Sequence, residues 1–251
     1  MTEALRLTAF LALVLPTPSP AQSTPWGRLG AHGVLLFSHA DPVPRNQSLG
    51  EVRLVQPAIM AHAGAFSNRI QVVGTLNLEG LTISDGELTP GAWGEGFIDR
   101  RHPHTYLHEL IVSAPDLLGE VDGRTRVSVA LGKGFAPFGT DDPMVRPVVR
   151  YPVNHHLAQI LERVVVIAGV RTGPVAIEAG LFNGDEPETP GQWPKVSRFG
   201  DSWSGRLTLR PVSRLELQGS HARVHSPEHR PGSGTDQQKW SASGRWDSAV
   251  R

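Results

Sequence analysis

The sequence predicts an all-β fold: an antiparallel up-and-down β-barrel of the outer-membrane type, with about 9–10 strands present and the barrel incomplete at its C-terminal end. Three observations predict it. Segments alternate apolar and polar residues, the connections between them alternate short and long, and no stretch after residue 24 is apolar for the roughly 20 residues of a membrane-crossing helix.

The N-terminus comes first in the argument. Met1 to Arg6 leads into the apolar run Leu7 to Leu15, and Pro16 to Gln22 follows, with the small residues Ser19 and Ala21 ahead of a cut near Gln22. That is the layout of a cleavable secretory signal over residues 1–21, although Glu3 offsets Arg6 in a region normally net positive. The apolar run is too short to cross a bilayer. Export to a bacterial envelope, with the outer membrane as destination, is therefore expected. The absence of cysteine excludes disulfides and thiolate metal sites. Lys and Arg total 24 and Asp and Glu 24, with no basic block, which removes the electrostatic footprint of a nucleic-acid binder.

Period-two segments define the strands. Thr125, Val127, Val129 and Leu131 oppose Arg124, Arg126 and Ser128. Leu207 and Leu209 oppose Arg206, Thr208 and Arg210, and Leu215 and Leu217 oppose Arg214, Glu216, Gln218 and Ser220. Val175, Ile177, Ala179 and Leu181 lie opposite Glu178, and Val72, Leu76 and Leu78 opposite Gln71, Thr75, Asn77 and Glu79. Strands are expected at 54–65, 70–79, 105–113, 124–133, 159–171, 175–183, 203–210, 214–224 and 237–246, forming a barrel domain over 51–251. Residues 22–50 have no assigned structure beyond one candidate strand, Gly33 to Ser38.

The connections at 66–69, 114–123, 172–174 and 211–213 are compact. Those at 80–104, 134–157, 184–203 and 225–236 are long and rich in Gly and Pro. Tight turns at one end and long loops at the other are the layout of an up-and-down barrel. Nine strands is an odd number, and Trp246 is followed only by Asp247 to Arg251, so truncation before closure is expected unless Gly33 to Ser38 supplies a tenth strand.

Two sets of candidate functional residues emerge. His102, His104 and His108 fall on one face if the segment is extended, with Glu109 beside them, and His155 and His156 sit in the next long loop. Such a set suits a divalent transition metal, and the competing reading is polar loop residues that only hydrogen-bond. Thr105 stands where a zinc-protease helix needs glutamate between His104 and His108, and neither a Gly-x-Ser-x-Gly elbow nor a Walker loop is present. The second set, Arg124, Arg126, Glu178, Arg206, Arg210, Arg214 and Glu216, lies on polar strand faces and would line a lumen or pair across it. Asp141, Asp142, Arg146 and Arg150 would form a constriction if the 134–157 loop folds inward.

Asp99 to His104, His155-His156, Phe182 to Pro187 and Asp201 to Leu207 resemble segments of a group of poorly characterised porin-like β-barrel proteins of bacterial envelopes, over roughly residues 50 to 246. The resemblance implies location and fold more than activity, and an association with metal-handling proteins. The expected function is a non-enzymatic outer-membrane conduit or scaffold, meeting membrane lipid outside and small polar solutes or ions inside. The alternative is a secreted or periplasmic metal-binding β protein, including an enzyme.

Overall fold

Up to five charged or hydroxyl side chains alternate with apolar ones along single strands of this chain, so a two-faced sheet is the economical way to fold it. The computed structural model describes residues 11–13, 27–43, 47–82, 105–119, 123–139, 159–187, 189–227 and 234–247. It contains eleven strands in one sheet, in sequence order. They are β1 (Leu11–Leu13), β2 (Gly27–Val43), β3 (Gln47–Ala65), β4 (Ile70–Asn77), β5 (Leu107–Leu118), β6 (Thr125–Gly134), β7 (Arg163–Thr172), β8 (Val175–Phe182), β9 (Ser202–Val212), β10 (Leu215–Val224) and β11 (Gln237–Trp246). Every neighbouring pair is antiparallel. Among the described residues β11 pairs only with β10, so the sheet is not closed. One short helix, α1 (Glu79–Thr82), follows β4, and Asn77 Oδ1 accepts the Glu79 N–H at 2.8 Å to start it.

Of the nine or ten strands expected, the structure has the larger number of long ones. Gly33 to Ser38 lies inside β2, which makes ten long strands, and the three residues of β1 pair with Leu35 to Phe37 beside them. Pattern reading underestimated β2 because Gly30, Gly33 and Pro42 break its alternation. The strand expected at 159–171 begins only at Arg163, because Glu162 adopts a left-handed conformation, φ 58°, that ends regular pairing. The expected alternation of connections holds, with the four compact turns at one end of the sheet. The exception at the loop end is the β2–β3 link, which is three residues long.

The two faces are inverted relative to a water-soluble sheet. On β8, Ile177 and Leu181 are 58% and 50% exposed, whereas Gly180 and Phe182 are buried. On β9, Trp203 and Leu207 are exposed and Ser202, Ser204 and Thr208 are buried. The register carries this across the molecule. Val72, Val112, Leu131, Val166, Leu181 and Trp203 form one cross-strand row on the outer face, from β4 to β9. Val127, Val170, Ile177 and Leu207 form a second.

Large aromatics mark both ends of this belt. Phe66 and Trp246 are exposed at the turn end. Tyr106, Trp193, Phe199, Trp203 and Trp240 are exposed toward the loop end. There the His221 ring lies between two of them, edge-on to Trp203 with centroids 5.2 Å apart and tilted against Trp240 at 3.9 Å.

Gly132 pins the β5–β6 pair. Its φ of +143° belongs to glycine, and a Cβ there would lie 2.0 Å from the Leu110 carbonyl oxygen. Gly132→Ala should therefore lose on the order of 1–3 kcal/mol of stability in denaturant titration. Gly30→Ala, where a Cβ would meet nothing within 4 Å, should cost far less.

Candidate functional site

Strand alternation places a polar lining on the inner face. Its rows follow from the register. Ser128, Gly169, Glu178, Arg206, Ser220 and Ser241 form one, and Arg126, Arg171, Ala176, Thr208, Gln218 and Ser243 the next toward the turn end. The carboxylates in this region are paired. Arg206 Nε donates to Glu178 Oε2 at 2.7 Å, directly across the β8–β9 register. Arg210 Nε donates to Glu216 Oε2 at 2.7 Å, with Arg245 Nη2 at 3.8 Å from the same oxygen. Arg126 Nη1 donates to Asp116 Oδ1 at 3.2 Å.

Toward the loop end the inner face is filled. After β6, the chain turns inward over β7 to β10. Pro137 stacks on Gly180, where a Cβ would come within 2.5 Å of Pro137 Cδ, and Gly139 N–H donates to Ser220 Oγ at 2.9 Å. Phe138 joins Ala136, Ile160, Val165, Phe182, Ala222 and Val224 in the molecule's apolar core. The core thus sits inside the sheet and is built around the inward-folded residues 135–139, the described beginning of the 134–157 connection. Asp141, Asp142, Arg146 and Arg150 lie outside the described residues.

The inward segment is anchored by a buried polar hub. Glu162, 3% exposed, receives the Thr105 N–H at 2.8 Å and the Thr105 hydroxyl at 2.6 Å, and His108 Nδ1 lies 2.9 Å away. Lys133 Nζ donates to Thr105 Oγ1 at 2.5 Å and to the Leu107 carbonyl at 2.6 Å, with the Trp193 ring above it. His108 reaches this hub through a bulge: Thr75 pairs with Glu109 and Leu76 with Leu107, so His108 is the extra residue and turns inward. Arg163, also buried, lies 3.8 Å from Glu186. Asn183 and Ser202 complete the loop end, their side chains accepting the Val164 and His225 N–H groups where the ladder stops.

The sequence-predicted residues divide as follows. His102, His104, His155 and His156 lie outside the described residues. Thr105 and Glu162, which flank the two histidine segments, are bonded to each other. His108 engages Glu162, while Glu109 accepts the Thr75 hydroxyl at 3.2 Å. Among the described residues no three His, Asp or Glu side chains are grouped to hold a metal. Arg126, Glu178, Arg206, Arg210 and Glu216 form the pairs given above. Arg124 and Arg214 are exposed at the compact turns, where their carbonyls accept the Gly173 and Asp247 N–H groups.

Sequence reasoning missed Thr105, Lys133, Glu162, Arg163, Asp116, Arg171 and Arg245. Alternation alone would have placed Arg171 and Arg245 on the polar face. Glu162 carried no such signal, because its role depends on a left-handed backbone and on partners 54 and 57 positions away.

At the loop end, outside the strands, Asp236 is held by Arg223 and His225, at 2.6 and 2.5 Å. The Arg223 hydrogen bond first, then that of His225, lowers its carboxyl below the usual aspartate range. Compared with family models, curated proteins and solved structures, the chain matches none.

Two outcomes follow from this geometry. Glu162 and Lys133 attract each other across the Thr105 hydroxyl, which both contact; removing one member of a buried pair of opposite charges costs about 3–5 kcal/mol, so Glu162→Ala should destabilise the chain on that scale in denaturant titration. Adding Lys133→Met to it should cost much less than the sum of the two single changes, because each single change strands the other charge. Separately, a depressed folded-state carboxyl stabilises above the unfolded value and loses that contribution as pH falls through the folded one. The protection of the Arg223 and His225 amides, exchange being taken relative to the intrinsic rate at each pH, should accordingly fall on acidification below about pH 4, and Asp236→Asn should lower it to the same degree at neutral pH.

Proposed function

We propose that the chain is an outer-membrane β-barrel of the porin-like kind: a non-enzymatic passive conduit whose polar interior is narrowed at the loop end by the 135–139 segment. The observation that carries this reading is the inversion of the two faces. A soluble sheet turns its apolar side to the core, and an apolar outer belt running over strand after strand would be an aggregation surface in water. In lipid the same belt is matched to its solvent, and strands of about ten residues suit the tilted crossing of a bilayer. Aromatic residues near both ends of the belt fit the two membrane interfaces.

In this reading residues 1–21 act as the export leader. Its removal takes β1 away and leaves β2 to β11, an even number whose first and last members run antiparallel, as closure of a barrel requires. The metal reading of His102, His104, His155 and His156 stays a proposal for the long loops, with a metal assay on the parent and on the four alanine changes as its check.

Ala168 tests the membrane reading. It lies mid-strand in β7 on the outer face, between Val166 and Val170. In a bilayer Ala168→Arg should cost about 2–4 kcal/mol and impair insertion into vesicles in a flotation assay. An arginine at an exposed position of a water-soluble protein would change stability by only about 0.5 kcal/mol, and that result would remove the proposal.

A further inference from the structure

Among the described residues, the inner face holds an arrangement that their ion pairs do not account for. Arg126 and Arg171 stand directly opposite each other in the β6–β7 register. Both are on the inner face: Arg171 by alternation with Val165, Ile167 and Gly169, and Arg126 by its bond to Asp116. Like charges directly opposite on a sheet repel. Asp116 serves Arg126, and among the described residues no carboxylate pairs with the exposed Arg171.

The rest of the lining strengthens the imbalance. The described inner face toward the turn end carries Arg126, Arg171, Arg206, Arg210 and Arg245, against Asp116, Glu178, Glu216 and, just past β11, Asp247 at 3.4 Å from Arg245. Glu216 serves two guanidinium groups at once. After each carboxylate has neutralised one arginine, positive charge remains, in a confined space where low-dielectric walls focus the field. Thr208 and Gln218, uncharged hydrogen-bonding side chains, continue the Arg126–Arg171 row.

We infer that the Arg126–Arg171 row is a binding position for small oxyanions, such as phosphates or carboxylates, and that it makes the conduit anion-selective. Two guanidinium forks on neighbouring strands suit the paired oxygens of such a group, and a bound anion relieves the repulsion between them. The exposure of Arg171 leaves that position open to a solute. This inference rests on the membrane-conduit reading above and adds its substrate class.

The experiment uses the full chain reconstituted in phospholipid vesicles, then planar bilayers with a potassium chloride gradient. The parent should float with the vesicles, show a reversal potential on the chloride side, and lose chloride current when inorganic phosphate is added. Arg171→Glu should float equally well yet at least halve the chloride preference and weaken the phosphate block, while Arg171→Lys should keep the preference. A reversal potential at zero or on the potassium side, no phosphate block, or no current from protein that floats would each overturn the inference and leave the membrane reading standing. Protein that fails to float would overturn the membrane reading beneath it.

Discussion

Backbone hydrogen bonding decides what this sequence can do with its apolar residues. A strand that pairs along both edges has no N–H or C=O left to hydrate, so its side chains alone determine which medium each face prefers. From β2 to β11 every strand pairs with its sequence neighbours, with bulges in several of the pairs. It frees the outer face to be built mainly from Val, Leu, Ile and Trp, and it leaves most charged and hydroxyl groups of the strands to the inner face. The apolar belt, the aromatic ends and the lined interior all depend on that ladder.

The interior is divided in two along the strand axis. Toward the turns, arginine and carboxylate side chains on adjacent strands pair across the sheet. Toward the loops, the chain folds back into its own interior. Pro137 and Phe138 occupy the space that the bare backbone of Gly180 and the small side chain of Ala222 leave for them. The cost of bringing a loop inside is its backbone and its charged ends, and the hub around Glu162 meets both. Its hydrogen bonds also hold Glu162 in a conformation that a non-glycine residue adopts at a cost of about 1–3 kcal/mol. An inner face filled at one end and lined by arginine at the other is a more specific object than a uniformly polar one.

Much of the fold was legible in the sequence because a period of two is a local property. The strands around Val175 to Leu181 and Leu215 to Ser220 could be placed from their own residues, and so could the turns between them. β2 was less legible, since Gly30 and Gly33 dilute its pattern and its pairing is set by β3. The polar faces were equally readable, whereas the partners of their charges were not: Glu178 meets Arg206 through a register that only the folded sheet fixes. The hub at Glu162 was least legible of all. It joins Thr105, His108 and Lys133 through a bulge, a left-handed residue and long sequence separations, none of which leaves a periodic trace.

The central claim, that the face carrying Ile177, Ala179 and Leu181 is solvated by lipid and the face carrying Ala176 and Glu178 by water, has a direct test in a chain that contains no cysteine. Single cysteines at these five positions of β8, each spin-labelled in the vesicle-reconstituted protein, would report access to oxygen, which concentrates in lipid, and to a polar nickel relaxant, which does not. Oxygen access should be high at 177, 179 and 181 and low at 176 and 178, with nickel access in the opposite phase. Nickel access that is high at 177, 179 and 181, or that shows no period of two, would contradict it.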